Sequence, residues 1–259
     1  KRSRKYRHLC EDTLGRIALW ALTRYPGRKA AIKNAKSKLH QVYGAFVDQV
    51  DFPRLQSLLT QMDQPPTQSG LETTCREILG WHASTSERLP IMAEFYTALF
   101  RRTGKPEHLL DLACGLNPFA LPWMNLGGEV DYKAFDIDHR LVTAVNELFG
   151  QTGVSGSARC HDLLASRETY EADVIFLFKL LPCIEQQRKG GCKELLQRLR
   201  SKFVVVSFPA QTLGGRPKGM SEHYETIMNT LARDLGRPVE KWVYPGETFY
   251  LMEGLNTPV

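Results

Sequence analysis

The hydrophobic residues change their spacing near residue 105. Before that point they recur at every third or fourth position, a spacing typical of one face of an α-helix. Pro26-Gly27 and the two prolines within residues 64–70 fall between the periodic stretches and interrupt the pattern. The spacing predicts helices over residues 13–25, 29–47, 53–62, 71–81 and 89–100. We therefore expect a helical amino-terminal domain, residues 1–104.

From residue 108 onward, short apolar runs alternate with amphipathic stretches. The apolar runs predict strands over residues 108–113, 131–136, 157–161, 173–178 and 202–208. The amphipathic stretches predict helices over residues 118–126, 139–150, 183–200 and 221–235. Residues 242–244 and 248–252 are joined by Pro245-Gly246 and predict a terminal hairpin. Such alternation predicts an α/β domain over residues 105–259, with a parallel sheet and a terminal antiparallel hairpin.

The ends of the first two predicted strands suit an adenosine-containing cofactor. The first strand reaches Asp111 and is followed by a tight turn at Cys114-Gly115, and the second ends at Asp136. An acid about 20 residues after such a turn can accept hydrogen bonds from both ribose hydroxyls. A dinucleotide needs several glycines so that backbone N–H groups reach its pyrophosphate, but here the turn continues as Leu116-Asn117-Pro118. The single glycine favours S-adenosylmethionine over NAD.

Further residues at the strand ends complete a predicted cofactor site. Asp136 is assigned to the ribose, because Asp138 is better placed to cap the helix that follows. Asp111 is predicted to orient the turn and to meet the ammonium group of the cofactor. Asp162, after the third strand, is predicted to accept a hydrogen bond from the adenine amine. The predicted site also includes Ala113, Gly115, Ile137, His161 and Phe178.

The fourth strand ends at Lys179, next to the predicted cofactor. Amine methyltransferases commonly carry an Asn/Asp-Pro-Pro-aromatic motif at this position, and that motif is absent. Lys179 supplies hydrogen-bond donors instead, which suit the acceptors N7 and O6 of guanine. We predict that Lys179 helps to position a guanine base.

A glycine-rich segment, residues 214–224, follows the fifth predicted strand. Its cations, Arg216 and Lys218, suit phosphate contacts, and Met220 or Tyr224 offers an apolar surface to a flipped base. We predict that Met220, together with Lys179, positions the target base without any general base.

The positive charge is concentrated at the amino terminus. The chain has a net charge of +6, and residues 1–50 hold 12 Lys and Arg against 3 Asp and Glu. This asymmetry is typical of a nucleic-acid-binding part attached to a catalytic part.

Other classes of protein are disfavoured by the sequence. The six cysteines show no CxxC pair and no zinc spacing, so we expect no metal site. The longest apolar run, residues 174–181, is broken by Lys179 and is shorter than the roughly 20 residues of a membrane span. With no signal-peptide pattern, we expect a cytoplasmic protein that does not associate with membranes.

Five segments together resemble the aminoglycoside-resistance 16S rRNA methyltransferases of the Arm/Rmt type. They occur in the order found in that family and span about two-thirds of the chain. The segments are KLHQVYGAF (38–46), HASTSERL (82–89), DLACGLNPFALPWM (111–124), FKLLP (178–182) and SFPAQTLGGRPKGMSEHY (207–224).

The resemblance implies a helical domain on a class I, Rossmann-like methyltransferase domain. It implies a monomer that transfers methyl from S-adenosylmethionine to N7 of a guanine in 16S rRNA of the assembled 30S subunit, conferring aminoglycoside resistance. By the same resemblance, Arg88 would pair with the cofactor's carboxylate and Gly115 would line its methionine. The implied RNA contacts are Lys33, Lys36, Lys38, His40, Arg216, Lys218 and Glu222.

Two alternatives remain open at this point. A methyltransferase could act on another decoding-site base, such as N1 of adenine. A non-catalytic RNA-binding module could retain the fold of a methyltransferase without its activity.

Overall fold

A computed structural model describes residues 4–44, 50–126, 129–209 and 220–255. The helices are α1 (Glu11–Arg24), α2 (Arg28–Leu39), α3 (Phe52–Gln61), α4 (Gln68–Gly80), α5 (Ala83–Ser86), α6 (Met92–Thr103), α7 (Leu121–Met124), α8 (His139–Thr152), α9 (Leu181–Gln187), α10 (Gly191–Leu196) and α11 (Met220–Leu235). The strands are β1 (His108–Leu112), β2 (Asp131–Asp136), β3 (Gly156–Cys160), β4 (Tyr170–Phe178), β5 (Leu199–Pro209), β6 (Val239–Tyr244) and β7 (Glu247–Leu255).

The seven strands form one sheet in the order β3-β2-β1-β4-β5-β7-β6. The first five strands are mutually parallel, and β7 runs antiparallel between β5 and β6. The α/β prediction, including the antiparallel terminal hairpin, is confirmed. Strand order reverses between β1 and β4, and parallel α/β sheets bind ligands in the crevice at the carboxyl ends of strands at such a point.

Helices cover both faces of the sheet. Helices α3, α4, α6 and α8 share one hydrophobic core with one face, in which the ring of Phe95 stacks on Phe249 at a centroid separation of 4.0 Å. Helices α9, α10 and α11 bury the other face. Because both faces are covered, residues 109–112 of β1 and 174–177 of β4 are buried and, apart from Asp111, apolar.

The first two helices form a smaller unit with its own apolar cluster. This cluster contains Tyr6, Leu9, Ile17, Leu39 and Tyr43. Backbone hydrogen bonds join it to the loop after β2: Cys10 N–H donates to the carbonyl of Ile137 at 2.8 Å, and His139 N–H donates to that of His8 at 2.9 Å. The basic helices are thereby fixed beside the carboxyl ends of the strands. The division at residue 104 stays a prediction.

Two helix predictions were wrong in detail. Residues 183–200 form two short helices and the start of β5, because Arg188 is extended and ends the first helix after Gln187, and Gly190, with a φ of 79°, caps the start of the second. Residues 118–126 form a 3-10 turn and the four-residue α7, since Pro118 and Pro122 remove helical N–H donors. Helix α2 ends at Leu39 and continues as a π-helical turn over residues 40–44, and the predicted residues 45–47 lie outside the described ranges.

Candidate active site

A cavity lies at the carboxyl ends of β1, β2 and β4. The amino-terminal unit and α5 close it from above with Arg16, Val42, Tyr43, Ser84 and Thr85, among others. Nine residues predicted for the cofactor or the target base line this cavity: Arg88, Ala113, Gly115, Asp136, Ile137, His161, Asp162, Phe178 and Lys179. Residues far apart in the sequence therefore converge on the crevice that the strand order predicts.

The turn after β1 brings the backbone against the cavity. Ala113 and Gly115 have φ values of 57° and 52°, a region that glycine adopts without strain. Gly115 N–H donates to Oδ2 of Asp136 at 2.9 Å. A Cβ added to Gly115 would meet no protein atom within 4 Å, so a side chain there would occupy space left for a ligand. This close approach of the backbone fits a cofactor with an uncharged linker.

Asp136 lies at the end of β2, and other residues of the protein occupy some of the hydrogen-bond acceptor positions of its carboxylate. Its Oδ1 accepts a hydrogen bond from Asp138 N–H at 3.0 Å, in addition to the Gly115 bond at Oδ2. A carboxylate has about four acceptor positions, so two remain for ribose hydroxyls. Burial raises the pKa of Asp136 to about 6. Asp138 caps α8 through Arg140 N–H at 2.8 Å, as predicted.

Asp111 lies beneath the turn and outside the cavity lining. Its Oδ2 accepts hydrogen bonds from Asn117 Nδ2 at 2.8 Å and from the Tyr132 hydroxyl at 3.0 Å. Burial raises the pKa of Asp111 to about 6. The residue therefore orients the turn through Asn117, and its contact with the ammonium group of a cofactor stays a prediction.

Arg88 is fully buried and has a different main partner from the predicted one. Its Nε and Nη2 donate to the two oxygens of Glu247 at 3.1 and 2.6 Å, and its Nη1 donates to Asn117 at 2.6 Å. The Phe178 ring lies 4.2 Å from the guanidinium carbon. The guanidinium of Arg88, which we predicted would bind the cofactor's carboxylate, thus binds Glu247 through Nε and Nη2 instead. Of the five N–H groups of Arg88, one on Nη1 and one on Nη2 take no part in these three hydrogen bonds.

Asp162 also has its acceptor positions filled by the protein. Oδ2 accepts from Nε and Nη2 of Arg16 at 3.0 and 2.9 Å, and Oδ1 accepts from the N–H groups of Leu164 and Ala165 at 2.8 and 3.0 Å. The predicted contact with adenine would need one of these four bonds to be released. Helix α1 therefore contributes Arg16 to this end of the cavity, which the sequence reasoning missed.

His161 has a structural environment. Its Nε2 lies 2.8 Å from the Tyr170 hydroxyl, and its ring packs against Phe135 at a centroid distance of 5.1 Å. Burial lowers the pKa of His161. The residue lines the cavity as a packed ring.

Lys179 follows β4 in an unusual conformation. Its φ is 54°, and its N–H donates to the carbonyl and the hydroxyl oxygen of Ser207 at 3.0 and 3.1 Å. Its Nζ donates to Oε2 of Glu87 at 2.6 Å and lies 3.8 Å from Oε2 of Glu247. Positive φ in a lysine costs free energy and tends to occur at functional sites.

The sequence reasoning missed both glutamates of this cluster. Glu87 is next to the predicted Arg88, but an acid in a loop has no local signal of function. Glu247 follows Pro245-Gly246 and has the sequence context of an exposed turn, yet it is completely buried.

Comparison with known proteins identifies the family. A family described as ribosomal RNA methyltransferase (FmrO) matches residues 2–249. The chain belongs to this family. It is 37% identical to a 16S rRNA (guanine(1405)-N(7))-methyltransferase of Micromonospora echinospora, over 97% of this chain and 93% of the relative. A relative of the same name from Proteus mirabilis is 30% identical, over 98% of this chain and 94% of the relative.

Solved structures of the 16S rRNA methyltransferases RmtF and RmtB share the whole fold. RmtF, solved in complex with S-adenosyl-L-homocysteine, superposes with a TM-score of 0.83 at 36% identity, covering 96% of this chain and 93% of RmtF. RmtB superposes with a TM-score of 0.81 at 26% identity, covering 97% and 94%. The class I methyltransferase fold with a helical amino-terminal part is therefore confirmed.

The predicted RNA-binding residues of this rRNA methyltransferase family member differ in their surroundings. Lys33, Lys36, His40 and Glu222 are exposed. Lys38 is half-buried, because its Nζ donates to the carbonyl of Gln186 at 3.2 Å and lies 5.7 Å from the ring centroid of Trp20. Arg216 and Lys218 lie outside the described residues, as does the side chain of Met220.

No group of three or more His, Cys, Asp or Glu among the described residues could hold a metal ion. No helix in the described ranges is long and apolar enough to cross a membrane.

Proposed function

We propose that this protein transfers a methyl group from S-adenosylmethionine to N7 of guanine 1405 in 16S rRNA, the reaction named for its relatives. The observation that carries the proposal is the cavity at the switch point of the sheet, where Gly115 and Asp136 meet. The single glycine lets the backbone come close to a cofactor, but the turn lacks the several glycines that would bind a pyrophosphate. Asp136 keeps acceptor positions for the hydroxyls of a ribose.

The cavity residues fit S-adenosylmethionine in a consistent orientation. Asp136 would hold the ribose, and the turn at Ala113–Gly115 would run along the methionine. The network of Asp111, Asn117 and Arg88 fixes the far side of that turn. When bound, the cofactor supplies a sulfonium methyl group as the electrophile.

The chemistry of guanine N7 matches the side chains around the cavity. N7 carries a free lone pair, so the nucleophile needs no general base, and methylation leaves a positive charge on the base. Rate enhancement must then come from alignment of N7 with the methyl group and from electrostatics around the ring. Lys179 lines the cavity at the end of β4, where its N–H donates to Ser207, and it would hold the base beside the cofactor.

We further propose that the substrate is the assembled 30S subunit and that the protein acts as a cytoplasmic monomer whose product confers aminoglycoside resistance. The exposed lysines of α2, Lys33 and Lys36, supply the positive surface that rRNA docking requires. These helices pack beside the crevice, so RNA bound to them would pass close to the cofactor.

The proposal is tested by incubating the protein with 30S subunits and a labelled methyl donor. We expect one methyl group per subunit, and cleavage chemistry specific for N7-methylguanosine should map it to guanine 1405. Label on an adenine would support the alternative base. If the wild-type protein binds 30S without any methyl transfer, the non-catalytic alternative is supported. As a control, an Asp136→Ala variant should bind 30S but transfer no labelled methyl group.

A further inference from the structure

Methylation at N7 does not by itself select guanine. Adenine carries the same N7 acceptor, and the two purines differ at the neighbouring positions. Guanine presents the acceptor O6 followed by the donor N1–H, whereas adenine presents a donor amine followed by the acceptor N1. An enzyme that methylates one guanine must therefore read these positions, as enzymes that flip a base out of its stack commonly do.

A donor that lines the cavity, Lys179, stands beside an acceptor, Glu87, that is not itself part of the lining. Lys179 lines the cavity, and its Nζ lies 2.6 Å from Oε2 of Glu87. An ammonium group has three N–H donors and a carboxylate has about four acceptor positions, so this pair leaves both partners able to bond further. The Glu87 side chain is 40% exposed, whereas that of Lys179 is only 12% exposed.

The surrounding contacts hold this pair in place. The backbone N–H of Lys179 donates to both oxygens of Ser207, and the residue has a positive φ of 54°. Glu87 immediately precedes the buried Arg88. A Cβ added to Gly246 would lie 3.6 Å from the Cβ and the carbonyl of Glu87, so the hairpin turn packs closely against it.

Two carboxylates face the two cations of this cluster. Glu247, which is completely buried, accepts hydrogen bonds from Nε and Nη2 of Arg88 and lies 3.8 Å from the Lys179 ammonium. Glu87 is the second acid, and it is exposed, with its Oε2 2.6 Å from the same ammonium. An exposed ion pair contributes little to stability, so stability alone does not account for an acid at this position.

We propose that Glu87 is a specificity-determining residue that, beside Lys179, selects guanine over adenine. This inference rests on the proposed guanine-N7 activity. The Lys179 ammonium donates to O6, and the Glu87 carboxylate accepts from N1–H and the neighbouring amine. With adenine at the same place, two donors would face each other, the adenine amine and the Lys179 ammonium. Two acceptors would also face each other, adenine N1 and the Glu87 carboxylate. The carboxylate also favours the positive charge that develops on guanine as N7 is methylated.

The test compares two variants, Glu87→Ala and Glu87→Gln, on two substrates. The substrates are 30S subunits with the natural guanine and 30S subunits with adenine at the same position. The matched control is Glu94→Gln, which removes an exposed acid in the first turn of α6. Single-turnover methylation, cofactor affinity and 30S affinity are measured for each.

We expect Glu87→Ala to lower guanine methylation about 30-fold or more, the scale of a lost bidentate base contact. Glu87→Gln keeps the side-chain shape and one acceptor oxygen, so its loss should be smaller but clear. Adenine methylation should stay at the wild-type background in both, so the preference for guanine collapses. Affinities for cofactor and 30S should stay within about twofold, and Glu94→Gln should match wild type.

Failure of this inference is distinguishable from failure of the proposed function. If the wild-type protein leaves no N7-methylguanosine on 30S, both the proposed function and this inference are wrong. If the wild-type protein methylates guanine and both Glu87 variants keep its preference for guanine, only this inference is wrong. A parallel loss of cofactor affinity or thermal stability in both variants would assign Glu87 a structural role instead.

Discussion

At the scale of single residues, the carboxyl group of Asp136 is predicted to make cofactor binding depend on pH. It accepts hydrogen bonds from the N–H groups of Gly115 and Asp138, and burial raises its pKa to about 6. Below that pH the group is protonated and loses acceptor capacity. Binding of ribose hydroxyls should therefore depend on pH in the range where most carboxylates no longer titrate.

We expect the dissociation constant for S-adenosylmethionine to be about tenfold higher at pH 5 than at pH 7, since a ligand that needs the ionised form loses a factor of ten per pH unit below the pKa. Asp136→Asn should bind weakly at both pH values. The matched control, Asp131→Asn, alters the opposite end of the same strand and should keep the wild-type profile. Calorimetric titration measures all three.

A second carboxyl could produce the same pH profile. The pKa of Asp111 is also raised to about 6, and it lies beneath the same turn. If Asp136→Asn weakens binding but keeps the full pH dependence, the titrating group is Asp111 and our assignment of the pH effect is wrong.

At the scale of elements, a buried ion pair joins the terminal hairpin to the wall of the cavity. Arg88, just after α5, and Glu247, at the start of β7, are 1% and 0% exposed and are joined by two hydrogen bonds. A buried charge that loses its partner is strongly destabilising. The hairpin thus supports the wall of the cavity formed by Arg88 and Phe178.

Glu247→Ala should lower the free energy of unfolding by about 3–5 kcal/mol, because it leaves the Arg88 guanidinium buried without its counter-charge. The control is Glu240→Ala on the neighbouring strand. Glu240 pairs with Arg102 at the surface, so its loss should cost less than about 1 kcal/mol. Chemical denaturation measures both, and equal effects would show that the buried pair contributes no more than a surface one.

The pairing of Arg88 with Glu247 could not be predicted from the sequence, whereas other features could. The strands were predicted to within a few residues because apolar runs between turn signals are local patterns. Gly115 and Asp136 were predicted because their spacing is local to one βαβ unit. Arg88 and Glu247 are 159 residues apart, and no local pattern marks a glutamate after Pro-Gly as a buried partner. The filled acceptor positions of Asp162 likewise depend on Arg16, which only the tertiary structure brings near.

At the scale of the whole molecule, the charge asymmetry has a definite place in the fold. The basic amino-terminal unit packs on the loop after β2 and contributes Arg16 and Tyr43 to the cavity lining. In the proposed function, RNA docking and cofactor binding would therefore use adjacent surfaces of one structure. Lys33 and Lys36 of α2 are exposed and would belong to the docking surface alone.

Lys33→Glu with Lys36→Glu should weaken 30S binding by more than about tenfold at low salt and reduce the dependence of binding on salt, since fewer phosphate counterions are released. Cofactor affinity should stay unchanged because neither lysine lines the cavity. A matched control reverses two exposed lysines near the opposite ends of the strands, Lys105→Glu with Lys202→Glu. This control makes the same change in net charge and should reduce 30S binding far less. Equal losses in the two double variants would mean that the net charge, and not the α2 surface, attracts the ribosome.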